Sequence, residues 1–215
     1  MEKHTKSLVS YLERCKINVN LLINEKSIFE AYSNSIINNS FADEDIVIFC
    51  HDDIEILLDP ARFLEILIKG LNQPKAGFVG PAGTRRLNST AVWWDHNEWQ
   101  RGYHRGLVLH GDNLVHAQTT YYGNPGRVVV LDGLFLAAKV KTLKALDLTK
   151  PEYFEGDWDF YDIHYTMQAH KKGYNNYVVP IFMMHHSIGQ LAGRDSWHKN
   201  REAFIHRTEL PVEIK

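Results

Sequence analysis

Apolar residues recur at helical intervals in two segments of the first third of the chain. Residues 27–37 predict a helix, because a serine can cap its first amide groups and its apolar positions are three or four apart. Residues 59–70 predict a second helix, since an aspartate–proline pair begins this segment and a glycine lies near its end. Residues 17–23 instead begin with apolar and polar residues in alternation, which predicts a strand.

The rest of the chain continues this alternation of strands and helices. The run at 46–50 is apolar throughout, which suits a strand that is covered on both faces. Further strands are predicted at 78–80, 127–132 and around 177–181, and further helices at 140–147 and about 158–172. The order predicts an α/β fold, in which a mostly parallel mixed sheet is flanked by helices in the Rossmann-like manner.

Residues 82–127 carry little regular pattern, although they contain many aromatic residues. Long segments of this kind are often functional loops or hairpins. Trp93 and Trp94, with Asp95 and His96 beside them, are expected to border a sugar, because indole faces cover its C–H surfaces and polar neighbours bind its hydroxyls. The alternative is that the two tryptophans close the core beneath a long loop.

Composition limits the classes of protein that need to be considered. The 215 residues are 44% hydrophobic, which fits one globular domain over 1–215. The net charge of −2 gives no reason to expect a nucleic acid or an anionic membrane as partner, and no apolar run approaches the roughly 20 residues that span a bilayer. The two cysteines lie far apart, which favours a reducing compartment and hence the cytoplasm.

The first candidate for chemistry is His51-Asp52-Asp53, which follows the apolar run at 46–50. Ligands bind at the carboxyl ends of strands in open α/β sheets, and adjacent carboxylates there need a compensating cation or hydrogen bonds. A divalent ion such as Mg²⁺ or Mn²⁺ accepts carboxylate and diphosphate oxygens together. The alternative is a solvated turn with a helix cap, which an isolated motif of this kind would favour.

The second candidate lies at 154–162, where four carboxylates fall within eight residues. One of them could deprotonate an acceptor hydroxyl, and Asp162 is favoured because the dipole of the following helix keeps it ionised. Asp157 and Asp159 compete for this role. The alternative is that these residues cap the helix while the aromatic residues between them pack in the core.

The third candidate is the histidine pair His185-His186, which follows a predicted strand. One imidazole could complete the coordination of a metal that is held by Asp53, since neutral histidine is a common ligand of manganese-like ions. The chain contains 12 histidines, so the alternative is that this pair serves packing or lies at the surface.

Taken in order, these motifs resemble the family-two glycosyltransferases of the GT-A fold, over roughly residues 17–190. The segment 27–34, which ends in Asn34, resembles the nucleotide-side helix before the metal site. His51 takes the place of the first Asp of the Asp-x-Asp motif, Asp52 falls where a ribose contact is expected, and Asp53 keeps the metal-binding place. His185 and His186 are similar to the late histidine that joins the metal.

The resemblance extends to the acceptor side of the site. Residues 130–136, which include Asp132 and Gly133, look like the acceptor-side strand of that family. Asp162 falls on its catalytic base, although the glutamate that usually precedes this base is Tyr161 here. The usual first strand and its nucleotide-base loop have no counterpart, so the chain also fits a domain cut from a longer polypeptide, similar to a glycosyltransferase domain of a large algal virus.

The resemblance implies a metal-dependent, inverting glycosyltransferase that uses Mn²⁺ or Mg²⁺. Its donor would be a nucleoside-diphosphate sugar, most simply a UDP-sugar, and its acceptor a hydroxyl of a glycan or glycoprotein. Its location would be the cytoplasm, and that of the host if the chain is viral. A nucleotidyltransferase and a non-catalytic sugar-binding module are the alternatives.

Overall fold

The structure, a computed structural model, describes residues 3–187 and 194–214. Its helices are α1 (Lys3–Arg14), α2 (Ile28–Ile37), α3 (Pro60–Leu71), α4 (His96–Gln100), α5 (Val140–Ala145), α6 (Tyr161–Lys171) and α7 (Asp195–Arg207). Its strands are β1 (Ile46–Cys50), β2 (Ile54–Ile56), β3 (Ala76–Gly80), β4 (Ala82–Thr84), β5 (Arg86–Leu87), β6 (His104–His110), β7 (Gln118–Gly123), β8 (Gly126–Val128), β9 (Val130–Leu131), β10 (Phe135–Lys139), β11 (Asn175–Val178), β12 (Met183–His185) and β13 (Val212–Glu213).

The strands form two main sheets and a short ribbon. The first sheet has the order β1-β10-β3-β11-β8, and the second has the order β2-β12-β6-β4-β9 with β7 paired to β6. The expected α/β fold with a mixed sheet is confirmed, but its description as mostly parallel was wrong. Only β3–β11 and β6–β12 pair in parallel among the described strands. Short turns and hairpins join most strands between β4 and β10, and such connections give antiparallel neighbours.

Helices that pack on the first sheet explain why its strands β3 and β10 are apolar. The helix α3 packs on β3 and β10, while α6 packs on β3, β9 and β11. Phe63 of α3 and Phe78 of β3 are both fully buried. Burying each of these side chains stabilises the fold by about 2–3 kcal/mol. Within the described ranges, no helix is long and apolar enough to cross a membrane.

Most of the predicted elements are present, with shifted ends. The helices expected at 27–37, 59–70 and 140–147 correspond to α2, α3 and α5, and the strand expected at 46–50 is β1. The strand expected at 127–132 is divided, because β8 pairs in the first sheet and β9 in the second. The irregular segment forms β4 to β8 and α4, and it includes the antiparallel pair β6–β7.

The strand predicted at 17–23 was wrong, because these described residues form no strand. Ile17 and Val19 do pack on the core, whereas Leu21, Leu22 and Ile23 are exposed. The helices α1 and α7 were not predicted. Their buried faces contain polar residues, Thr5 in α1 and Asn200 in α7, which interrupt the apolar pattern.

Candidate metal centre

Two strand ends bring His51, Asp53 and His185 together. The turn after β1 carries His51 and Asp53, and antiparallel pairing of β12 with β2 sets His185 opposite Ile54. Nε2 of His185 lies 3.3 Å from Oδ1 of Asp53, and Nδ1 of His51 lies 3.9 Å from the same oxygen. One ligand atom from each residue lies within 4.8 Å of the others, so this His–Asp–His cluster could hold a metal ion.

Tyr161 fixes the orientation of His51. The tyrosine hydroxyl donates its hydrogen to the carbonyl of Gly133 at 3.0 Å, and it lies 3.0 Å from Nε2 of His51. Burial raises the pKa of Tyr161, so the hydroxyl keeps its hydrogen. We assign that hydrogen to the carbonyl of Gly133, and the hydroxyl then accepts a hydrogen from Nε2. The Nδ1 lone pair of His51 therefore faces Asp53, and the two would repel without a cation between them.

The pKa shifts favour a neutral His51 but, with no cation present, a protonated His185 beside an ionised Asp53. Burial lowers the pKa of His51 and the neighbouring His185 lowers it further, which favours the neutral imidazole that a metal ligand requires. Burial raises the pKa of Asp53, but the hydrogen bond and charge of His185 outweigh burial and the net pKa is lowered. Burial lowers the pKa of His185, but Asp53 and Asp132 outweigh it and the net pKa is raised.

A carboxylate with a perturbed pKa lies on the other side of Tyr161. Oδ2 of Asp162 accepts a hydrogen bond from the amide of Gly133 at 3.1 Å. Burial and the charge of Asp132 raise the pKa of Asp162 to about 7. Gly133 permits this close approach, because a Cβ there would overlap the hydroxyl of Tyr161 and press on Asp162. Asp162 is therefore a carboxylate whose pKa lies near neutral pH, which a general base requires.

His110 is a further residue of this region that sequence reasoning missed. It lies beside His185 in the parallel pair β6–β12, with ring centroids 5.7 Å apart. Its Nδ1 is buried and has no hydrogen-bond partner among the described residues. His51 and Tyr161 were also not predicted as parts of the metal centre. His51 lies within the His51-Asp52-Asp53 motif and could have been found from the sequence. Tyr161 could not, because it contacts a residue that is 110 positions away.

His186 lies apart from the His–Asp–His cluster. Its ring stacks on His4 with centroids 3.7 Å apart, and its Nε2 lies 3.3 Å from Oε2 of Glu55. Neighbouring residues of an extended chain point to opposite sides, so His185 and His186 cannot face the same ion without a change of backbone. Only the backbone amide of His186 approaches the site, where it donates to the carbonyl of Asp53 at 2.9 Å.

The two residues expected on the nucleotide side are both exposed. Asp52 accepts a hydrogen bond from the hydroxyl of Thr5 at 2.9 Å, so α1 reaches the edge of the site. Asn34 lies on α2, where its backbone carbonyl accepts a hydrogen bond from the amide of Asn38.

Asp157 and Asp159 each have a partner that is not part of the cluster. Oδ1 of Asp157 lies 2.8 Å from Nζ of Lys150, at a half-exposed position. Asp159 is buried, and its Oδ2 accepts a hydrogen bond from the hydroxyl of Ser196 at 2.6 Å. These contacts connect the segment before α6 to neighbouring parts of the fold.

The two tryptophans occupy different environments. Trp93 is 2% exposed and packs edge-on against His104 and Tyr122. The structure thus favours the packing interpretation for Trp93, because its indole face is not open to a sugar. Trp94 is partly buried, with its ring centroid 5.7 Å from that of Trp197.

Comparison with known families decides the class of protein. The sequence model of a glycosyltransferase-like family matches residues 5–208, nearly the whole chain. The chain belongs to this family. Membership in the glycosyltransferase-like family confirms the resemblance to family-two glycosyltransferases and supports glycosyl transfer, with nucleotide-sugar and acceptor partners, as the general activity. Among curated proteins, none matches the chain significantly.

Proposed function

We propose that this chain is a metal-dependent, inverting glycosyltransferase that transfers a sugar from a nucleoside-diphosphate sugar to a hydroxyl of a glycan or glycoprotein. UDP-sugars are the first donors to test. The observation that carries the proposal is the convergence of His51, Asp53 and His185 at the end of β1, in a chain of the glycosyltransferase-like family. The proposed ion is Mn²⁺ or Mg²⁺.

The donor set fits such an ion. Of the two proposed ions, Mn²⁺ accepts imidazole nitrogen more readily than Mg²⁺, which prefers oxygen ligands, and the inward-facing lone pair of His51 supports the presence of a cation. A bound divalent ion would supply charge neutralisation for the departing nucleoside diphosphate. The three side chains would hold that ion, and Tyr161 would keep the ring of His51 in the orientation that binding needs.

Asp162 is proposed to remove the proton from the acceptor hydroxyl. As the acceptor oxygen forms its bond to the anomeric carbon, the bond from that carbon to the diphosphate oxygen breaks, and the proton passes to a carboxylate oxygen of Asp162. Attack from the face opposite the leaving group inverts the configuration. The amide of Gly133 holds Oδ2 of Asp162 in place, and Asp132 raises its basicity by charge repulsion.

Several finer assignments belong to the same proposal. Asp52 is proposed to bind the ribose and Asn34 to lie on the nucleotide side, since both are exposed. Asp132 and Gly133 are proposed to contact the acceptor or the donor sugar, with Trp94 bordering it. Asp157 and Asp159 stay as alternative bases, but their contacts with Lys150 and Ser196 favour Asp162.

Metal-dependent donor binding tests the proposal. Calorimetry with UDP should give tight binding in Mn²⁺ and weak binding in EDTA. The Asp53→Ala substitution should weaken the metal-dependent binding of UDP by at least about tenfold. Asp195→Ala, an exposed carboxylate beside Lys199, is the control and should bind as the unchanged protein does. Undiminished affinity in a folded Asp53→Ala protein would exclude Asp53 from the site.

Product analysis separates the proposal from the two other activities. A glycosyltransferase releases the nucleoside diphosphate and joins the sugar to the acceptor. A nucleotidyltransferase would release pyrophosphate and leave the sugar joined to phosphate. A sugar-binding module would consume no donor at all.

A further inference from the structure

Three arginines converge on a cavity that the proposed reaction does not use. The cavity has a volume of about 370 Å³ and is lined by Arg85, Arg105 and Arg127, together with Pro125, Gly126 and Ile214. The arginines come from the turn before β5, from β6 and from β8. The His–Asp–His cluster does not line it. Arg105 lies five positions before His110 in β6, and His110 lies beside His185, so about 17 Å of strand separates Arg105 from the cluster.

Among the described residues, no carboxylate forms an ion pair with these three arginines. The ion pairs among the described residues involve other arginines, namely Arg62, Arg86, Arg101 and Arg194. Arg105 donates to the backbone carbonyls of His104 and Gly102 at 2.7 and 2.9 Å. Arg85 donates to the carbonyl of Ile214 at 3.4 Å. Carbonyl groups orient the guanidinium groups but do not cancel their charge.

Arg85 and Arg105 are close enough for their charges to repel each other. Burial lowers the pKa of Arg105, and the charge of Arg85 lowers it further. A chain with net charge −2 therefore places like charges beside one open cavity, which is unfavourable unless an anion enters it. Guanidinium groups bind phosphate and carboxylate oxygens through paired, charge-assisted hydrogen bonds.

We propose that Arg85, Arg105 and Arg127 form an oxyanion-binding site for a phosphoryl group, separate from the His–Asp–His cluster. Space for the ligand is available, since a Cβ at Gly126 would meet no atom within 4 Å. A second cavity of about 350 Å³ adjoins this one, because both are lined by Pro125 and Gly126, and it also contacts Tyr177 and Pro180. The phosphoryl group can thus be inorganic phosphate or part of a phosphosugar whose body extends into the second cavity.

Calorimetry in EDTA at constant ionic strength tests this proposal with three probes: inorganic phosphate, glucose 6-phosphate and glucose. We expect the two phosphoryl compounds to bind and glucose not to bind. Equal affinity for the two would identify free phosphate as sufficient, whereas tighter binding of glucose 6-phosphate would identify the phosphosugar. Arg105→Gln and Arg127→Gln should each weaken phosphate binding by about tenfold.

Arg14→Gln is the matched control, because it removes the same charge from α1 at a position that does not line the cavity. It should leave phosphate affinity unchanged. Arg127 is exposed, so its variant is expected to fold even if Arg105→Gln does not, and thermal unfolding without ligand checks both. Unchanged phosphate affinity in folded Arg127→Gln, an equal loss in Arg14→Gln, or no binding of either phosphoryl compound would overturn the proposal. None of these outcomes depends on glycosyl transfer.

Discussion

Nε2 of His51 lies 3.0 Å from the hydroxyl of Tyr161, although the two residues are 110 positions apart. One follows β1 and the other begins α6, directly before Asp162. Tyr161 therefore connects the candidate metal ligands to the candidate base. A residue in this position should influence metal binding without touching the ion.

Replacing Tyr161 by Phe should weaken Mn²⁺ binding by about 10–100-fold. The change leaves Nε2–H of His51 without its acceptor, so the ring no longer presents Nδ1 to the ion by preference. Calorimetric titration with Mn²⁺ measures the effect. Tyr165→Phe is the control, because it removes another buried hydroxyl of α6, which donates to the carbonyl of Leu148. Equal metal affinity in the two variants would remove Tyr161 from the metal centre.

The two adjacent histidines should differ in their effect on metal binding. His185→Ala should abolish Mn²⁺ binding within the range that calorimetry detects, because it removes a ligand beside Asp53. His186→Ala should change the affinity by less than about threefold, since its ring contacts Glu55 and His4 instead. A large loss in His186→Ala with normal thermal stability would assign the ligand to His186.

Sequence patterns were sufficient for elements that bury one regular apolar face. The helix α3 has its cap, its proline and its apolar spacing in the sequence, and the apolar run of β1 left few alternatives. The segment 17–23 shows the limit of this reasoning. A strand requires a hydrogen-bonded neighbour as well as an alternating pattern, and no pattern within the segment reveals whether that neighbour exists.

The site was partly predictable, because some of its residues lie in short motifs that follow predicted strands. Motifs at strand ends predicted Asp53 together with His185 or His186, and the pairing of β2, which directly follows Asp53, with β12 brings His185 beside Asp53. The choice between His185 and His186 depends on the register of β12 against β2, which local sequence does not specify. The contact of Tyr161 with His51 also depends on tertiary packing. Its only local sign was that Tyr161 stands where the resemblance to family-two glycosyltransferases implies a glutamate.

Substitutions of Trp93 and Trp94 should distinguish a role in core packing from a role in ligand contact. Trp93→Ala should lower the free energy of unfolding by about 3–5 kcal/mol, because the side chain is fully enclosed. Trp94→Ala should lower the free energy of unfolding by less, since that side chain is only partly buried. It should also raise KM for the donor or the acceptor. Urea unfolding and steady-state kinetics measure the two effects. Equal stability losses with unchanged KM would assign both residues to the core.

Asp162→Asn should lower kcat by about 10²–10⁴-fold while donor binding stays nearly unchanged. The asparagine side chain keeps an acceptor for the amide of Gly133 but cannot take up a proton. In the unchanged protein, activity should rise with pH through about 7, where the carboxyl group loses its proton. Asp157→Asn and Asp159→Asn are the matched variants. A collapse of turnover in either one, with near-normal turnover in Asp162→Asn, would transfer the role.

The same substitution should stabilise the folded protein, and the gain should depend on pH. Burial and Asp132 raise the pKa of Asp162 to about 7, above its value of about 4 in the unfolded chain. Between these values the folded state binds more protons than the unfolded state, so this residue makes stability fall as pH rises from about 4 to 7.

The uncharged amide of the Asp162→Asn variant would not lose stability in this way. The variant should therefore match the unchanged protein near pH 4 and exceed it by about 1–4 kcal/mol at pH 8. Urea unfolding in EDTA over this pH range measures the difference while excluding bound metal. A constant difference across the range would show that Asp162 titrates normally, and the argument for a base tuned to neutral pH would fail with it.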